Sequence, residues 1–283
     1  MINSLTLRLV VTAALALACP AALTAQGTGK NLAMDFRISS SIPGSADSSS
    51  VTGHTVSSPT KVRIDMSATG ARTPTPLPTD GAISMIVSDS GKTITYLDTG
   101  NYQYMTLRPA EMLAQAQAMG GVKMDFGGSE VTVTSQGPGA VILGHPTVRY
   151  RVVTRMTMTI SGMGQQQSVK VSSTTDYHFP TDIRSAFNPF SSITGTDMLG
   201  MFGGSSKDLA AKLKAAEAKL PKAPPLRTST TSTVTTQGVD QVTKSSTEVT
   251  SVRWVNADPK VFDIPAGYTP VEVPTMGGAP PNP

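Results

Sequence analysis

The sequence of 283 residues contains a single cysteine, a single tryptophan and three histidines. With only Cys19, an intramolecular disulfide is excluded, so the folded chain must be held together by its own apolar core. The histidines, His54, His145 and His178, stand in separate predicted strands or turns, and none has a partner at the short spacing typical of a metal site. We therefore predict neither a metal site nor a cofactor.

Charged residues are also scarce, at 15% of the chain, and the formal net charge is +4. This small and evenly spread excess does not predict nucleic-acid binding. Aspartate and glutamate stand singly, and no Gly-x-Ser-x-Gly motif occurs. Gly91-Lys92-Thr93 resembles the end of a phosphate loop, but Ile86 occupies the place of the required earlier glycine. We predict that the protein is not an enzyme and has no catalytic residues.

The chain has no apolar run long enough to span a bilayer. The run Leu9–Ala18 follows a basic residue and precedes small residues that extend to Ala25. This pattern is typical of a secretory signal, so we predict a signal peptide at 1–25 and export to the bacterial periplasm or the extracellular space. The alternative is a lipoprotein anchored through Cys19, although Ala16 stands where a lipobox usually has leucine.

Apolar and polar residues alternate over most of the remaining chain, which is the pattern of strands with one buried and one solvated face. The longest example is a hairpin within Ala140–Phe179, which turns at Ser161–Gly164. Because sequential strands usually pair, this series predicts one antiparallel sheet. The predicted strands are 32–38, 62–66, 83–87, 93–97, 102–105, 130–134, 140–143, 148–160, 168–179, 228–236, 242–255 and 261–264.

Two segments have the pattern of amphipathic helices. Ser206–Leu220 places Leu209 and Leu213 on one stripe, and its lysines would also suit a helix on anionic lipid. That stripe has no aromatic anchor, which favours packing on the sheet. Pro109–Met119 begins with a proline at the first helical position and ends before Gly120. Ser39–Ser50 is predicted to be a loop or an open hairpin end, and Thr69–Thr79 a loop. The Gly/Pro-rich end 275–283 is predicted to be disordered.

Methionine is abundant, with fourteen residues beside seven phenylalanines. Its flexible and polarisable side chain fills irregular gaps in a core, and it also lines surfaces that accept apolar ligands of variable shape. The composition leaves both interpretations open.

Three short stretches resemble a known family: Ile142–Tyr150 (ILGHPTVRY), Pro225-Leu-Arg before a Thr-rich strand, and Val261–Tyr268 (VFDIPAGY). Over roughly Leu32–Val273 the chain resembles uncharacterised exported bacterial proteins, a domain of unknown function grouped with the LolA-like half-barrels. The wider group includes periplasmic lipoprotein carriers. Their architecture is a strongly curved antiparallel sheet with helices in its concave side, around a cavity for acyl chains.

The resemblance implies a mainly β (α+β) fold at 26–274, a single curved antiparallel half-barrel with two or three helices in its concave side. It also implies non-enzymatic binding of a lipid, or of a lipidated or apolar ligand, with a lipid or lipoprotein as partner. The alternative is a structural or protein-interaction module of the bacterial envelope with a filled core and no ligand. The residues predicted to line the cavity are Met112, Met119, Met156, Met158, Leu209 and Leu213.

Overall fold

The computed structural model describes residues 31–41, 48–69, 82–89, 92–108, 111, 123–162, 165–184 and 207–271. The predicted signal peptide and the predicted C-terminal tail lie outside these residues. So does the helix predicted at 109–119, apart from Glu111, and with it Met112 and Met119.

Within the described residues, twelve strands form one open, curved sheet, which confirms the predicted mainly β fold. Their order is β12-β6-β5-β4-β3-β2-β1-β11-β10-β9-β8-β7, and every pair is antiparallel except β12 with β6. The sheet therefore consists of two sequential meanders, β1–β6 and β7–β11, joined by the β1–β11 pair. The strands are β1 Asn31–Ser41, β2 Ser48–Ser57, β3 Val62–Thr69, β4 Ala82–Ser88, β5 Thr93–Asp98, β6 Gln103–Leu107, β7 Lys123–Pro138, β8 Thr147–Gly162, β9 Gln165–Pro180, β10 Arg227–Thr236, β11 Val239–Val255 and β12 Thr269–Pro270.

The described residues contain one α-helix, α1 (Lys207–Glu217), where the sequence predicted two or three helices. The helix prediction at 206–220 is confirmed, and within the described residues the number of helices is lower than the two or three predicted. Asp208 lies in the first turn, where the positive end of the helix dipole favours an acidic side chain. Helix α1 packs against β7, the strand at one edge of the sheet.

Two predicted strands are wrong. The segment 140–143 belongs to a tight loop in which Ile142 and His145 exchange backbone hydrogen bonds, at 3.0 and 2.9 Å, while Ile142 is buried. The segment 261–264 begins inside a 3₁₀ turn at Pro259–Phe262, which is capped by Asp258, whose side chain accepts a hydrogen bond from the Lys260 amide. Two strands were missed: β2, which begins at Ser48 inside a segment predicted to be a loop or an open hairpin end, and the short β12.

The core lies on the side of the sheet to which Leu32, Met34 and Phe36 of β1 point, which we call the apolar face. Over β1–β5 this face is buried. Three residues from connecting segments belong to the same buried cluster: Ile142, Ile183 and Leu226. On the other side of the sheet, Phe262 of the 3₁₀ turn packs against Ala33 and Val56.

Candidate functional site

The apolar face continues from β1 onto the second meander, β7–β11, where its surroundings change. The side chains of two residues that are directly paired across neighbouring strands lie on the same face of the sheet. The pairing therefore assigns each residue of β7–β11 to one of the two faces. Among the described side chains of β7–β11, none on the apolar face is charged. Most of them are half-buried rather than fully buried, unlike those over β1–β5. This half of the face is therefore both uncharged and partly open.

Two cross-strand rows near the β8–β9 turn are apolar, and we call them the methionine rows. In the first, Met158 lies between Phe126 of β7 and Val169 of β9. In the second, Met156 lies beside Val171 of β9. Both methionines are half-buried, so their flexible side chains remain accessible.

Further along the same strands, two adjacent rows on the apolar face carry hydroxyl groups, and we call them the hydroxyl rows. Thr175 and Thr230 are cross-strand partners in one of these rows, and their Oγ1 atoms lie 3.0 Å apart. All seven hydroxyl residues are half-buried. The rows are Thr154–Ser173–Ser232–Thr243 and Thr175–Thr230–Ser245.

An aromatic cluster follows the hydroxyl rows, where β8 and β9 approach the buried core. Tyr150 and Tyr177 are cross-strand partners. Tyr177 stacks on Phe179 with 5.4 Å between ring centroids, and Tyr150 meets Phe179 edge to face at 6.0 Å. Burial raises the pKa of the Tyr177 hydroxyl. Phe179 is buried, so the apolar face is closed at this end of β8 and β9.

The described charged side chains of β7–β11 point to the opposite face, where several of them form ion pairs. Arg151 holds Asp176 through two hydrogen bonds of 2.7 and 2.9 Å, which keep the pKa of that carboxyl below its ordinary value. Arg155 pairs with Glu130 at 3.1 Å. The sheet thus separates a charged face from an uncharged one.

Helix α1 meets the sheet through a polar contact at the bulge in β7. Lys212 donates to the Ser129 carbonyl at 2.9 Å and to Asp208 at 2.6 Å, and its hydrogen bond lowers the pKa of the Asp208 carboxyl. Leu209 is buried, whereas Leu213 is only half-buried. The helix therefore stands at the β7 edge, one strand away from Met156 and Met158 on β8.

Two of the three histidines, His54 and His145, contact carboxylates. His54 Nδ1 lies 2.6 Å from Asp35 Oδ1, and His145 Nδ1 lies 2.8 Å from Asp182 Oδ2. Desolvation alone would raise the pKa of Asp35, but His54 and Arg253 outweigh it, so that this pKa is lowered. Within the described ranges, no three His, Cys, Asp or Glu side chains come together in a way that could hold a metal ion.

His178 lies on the charged face beside Arg227 and Arg149. Burial lowers the pKa of its imidazole, and the positive charges of the two arginines lower it further. The histidine is therefore held towards its neutral form.

An open groove of about 490 Å³ lies beside the loop before β8. Val141 and Leu143 of this loop are 67% and 47% exposed, and an ion pair of 2.6 Å between Arg227 and Glu248 forms the facing wall. Because the groove is open and has an ion pair in one wall, it does not resemble an enclosed pocket for an acyl chain. Its lining residues are Ala140, Val141, Ile142, Leu143, Arg227, Glu248, Val249 and Thr250.

The structure thus brings four of the six predicted lining residues to one end of the sheet: Met156 and Met158 on β8, and Leu209 and Leu213 on α1. Met112 and Met119 lie outside the described residues. Sequence analysis missed the hydroxyl rows. The only available signal was the run of Ser and Thr over 228–236, and that run does not reveal its partners across the sheet.

The fold and this face define a mainly β protein with one open sheet that has an uncharged side. Comparison with protein-family models gives no match, and neither does comparison with curated proteins. Among solved structures, the chain is similar to a crystal structure described as a putative outer membrane lipoprotein-sorting protein domain from Vibrio parahaemolyticus. That likeness covers 82% of this chain and 89% of the other, at 6% identity and a TM-score of 0.29. These values are too low to establish a shared fold, and membership of the family named above stays a prediction.

No helix in the described part of the chain is long and apolar enough to cross a membrane.

Proposed function

We propose that this protein is a non-enzymatic component of the bacterial envelope that binds a lipid, or a lipidated or apolar ligand, on the open half of its apolar face. One observation carries the proposal. Over β7–β11 the apolar face has no charged side chain among the described residues, yet most of its side chains keep partial contact with solvent. An apolar surface that is left open in a folded protein usually marks a binding site.

The methionine rows are the part of this face that fits an acyl chain. Burial of each methylene contributes about 0.8 kcal/mol, so a chain that covers these rows gains affinity with its length. Met156 and Met158 can adjust their rotamers to chains of different shape. The placement in the envelope depends on the predicted signal peptide at 1–25.

A second candidate function is a structural or protein-interaction module without a ligand. It is favoured by the first meander, where the apolar face is buried in a cluster that also includes Ile142, Ile183 and Leu226 from connecting segments. If the second meander is filled in the same way by a partner protein, no lipid is needed.

Fluorescence titration distinguishes the two functions. The single tryptophan, Trp254, lies on the apolar face of β11 and packs against the buried core. Its emission can therefore report a dansyl-labelled fatty acid that binds to the same face. We expect saturable energy transfer, and we expect Met156→Ser with Met158→Ser to weaken binding by about tenfold.

Neighbouring valines on β8 provide a matched control. Val152 points to the apolar face and Val153 to the charged face, and both are half-buried. Val152→Ser should weaken binding, whereas Val153→Ser should leave it unchanged. Absence of saturable binding for several acyl lipids, together with no co-purified lipid in native mass spectrometry, would instead support the structural module.

A further inference from the structure

The hydroxyl rows interrupt a face that is otherwise apolar. They lie between the methionine rows and the Tyr150–Tyr177 pair. A molecule that extends along β8 and β9 from the methionines therefore covers their members on those two strands, Thr154, Ser173 and Thr175. Strand propensity explains why threonine is frequent here. It does not explain the absence of charge, since the same strands carry arginine, lysine and aspartate on their other face.

The cost of desolvation decides what can cover these rows. Each hydroxyl offers one donor and two acceptor positions, and the Thr175–Thr230 hydrogen bond uses only part of this capacity in its row. An alkyl chain laid across all seven groups would leave polar atoms buried without partners, which is costly. The group that covers the rows must therefore form hydrogen bonds itself.

The lack of charge decides which polar group is suitable. A buried phosphate, carboxylate or ammonium needs a partner of opposite charge, because desolvating an unpaired ion is far more costly than desolvating a hydroxyl. The described residues of this face provide no such partner; Arg151, Arg155 and Asp176 lie on the other side of the sheet. An uncharged group with several hydroxyls satisfies both conditions.

The dimensions agree with a small head group. With strands about 4.8 Å apart, the longer row spans about 14 Å, and two rows along a strand are about 7 Å apart. This area accommodates a glycerol or a sugar. The adjacent Met156 row lies two residues further along β8, so a chain attached to that group continues directly onto the methionine rows.

We infer that the hydroxyl rows bind the uncharged, hydroxyl-rich head group of an amphiphile whose acyl chain lies along the methionine rows. This inference rests on the proposed function, and it specifies the class of ligand. The protein then prefers a monoacylglycerol or a glycolipid over a fatty acid or a cationic lipid of the same chain length.

Calorimetric titration with three probes of equal chain length tests the preference. The probes are monolauroylglycerol, dodecanoate and dodecyltrimethylammonium, each used below its critical micelle concentration. We expect the wild-type protein to bind monolauroylglycerol about tenfold more tightly than either charged probe. The double variant Thr175→Val with Thr230→Val should reduce this preference to about twofold, because valine keeps the shape and removes the hydroxyl.

The same strands provide the matched control, since Thr174 and Thr231 are cross-strand partners on the charged face. Thr174→Val with Thr231→Val should keep the full preference. If circular dichroism shows that the test variant is unfolded, Ser173→Ala with Ser232→Ala removes another pair of the same face.

The remaining outcomes separate the two proposals. Equal binding of the three probes, or a preference that survives removal of both hydroxyl pairs, would overturn the inference and leave the proposed function intact. If none of the probes binds, the proposed function fails as well.

Discussion

Phe36 lies directly opposite Gly53 across the β1–β2 pair, and the edge of its ring occupies the space where a side chain at position 53 would begin. A Cβ atom at Gly53 would also lie 2.9 Å from the carbonyl oxygen of Asp65 on β3. Real Cβ atoms avoid such short contacts. The glycine is therefore required by the ring beside it and by the neighbouring strand.

Substitution of Gly53 should be costly because it overpacks the buried core. We expect Gly53→Ala to lower the free energy of unfolding by about 1–3 kcal/mol. In a Phe36→Leu background the additional cost should be smaller, since the ring is no longer there. Urea denaturation of the four proteins measures this coupling, and additive costs would contradict the proposed contact.

The two leucines of helix α1 should differ in their contribution to stability. Leu209 is 3% exposed, whereas Leu213 is half-buried. We expect Leu209→Ala to cost about 2–4 kcal/mol, and Leu213→Ala to cost clearly less, because it removes less buried surface. Equilibrium unfolding of both variants provides the test. Equal losses, or a loss below about 1 kcal/mol for Leu209→Ala, would mean that the helix does not pack on β7 as described.

Stability in acid should depend on Asp176. Because Arg151 lowers the pKa of Asp176 in the folded protein, the pair stabilises the fold above the ordinary value of 3.8, and this contribution is lost as the pH falls through the lower folded pKa. At about pH 7, Asp176→Asn should cost about 0.5–1 kcal/mol, as is usual for an exposed ion pair.

The difference in stability between Asp176→Asn and the wild-type protein should disappear in strong acid. Urea denaturation of the variant and of the wild-type protein across the acid range measures this difference. A constant deficit for Asp176→Asn would show that the variant acts through packing instead of charge.

Much of the sheet could be predicted because the alternation of apolar and polar residues indicates a strand that has one buried face. The alternating runs 32–38, 62–66 and 148–160 all lie within strands. β2 was missed because its buried side presents Thr55 and Gly53 where apolar residues are expected, since Phe36 and its neighbours fill that space. The pattern of apolar and polar residues within β2 contains no information about the Phe36 ring, which belongs to β1.

The predicted strand at 140–143 failed for a related reason. Ile142 is buried, as the prediction required, but it is held there by a loop with Leu143 in a left-handed conformation, at φ 53°. The segment 261–264 also has the composition of a strand, yet the Asp258 cap and Pro259 favour a turn. In both cases local backbone chemistry outweighs the apolar pattern.

The candidate site was only partly accessible from sequence. Met156 and Met158 were identified because they alternate with threonines in one strand. The hydroxyl rows depend on the register of four strands, and a shift of one residue would place the same hydroxyls on the other face. No property of a single segment fixes that register, so the polar part of the face becomes visible only when the strands are paired.

The β1–β11 pair has a consequence for the order of folding. Leu32 pairs with Trp254, although the two stand near opposite ends of the described chain. Each meander contains mainly local pairings, which form quickly, whereas this pairing closes a long loop and is slow. As the chain emerges from a ribosome or a translocation channel, β1 has β2 beside it but lacks its other neighbour. The two halves become one sheet only after Val255 has emerged, so until then the centre of the finished sheet is an exposed edge.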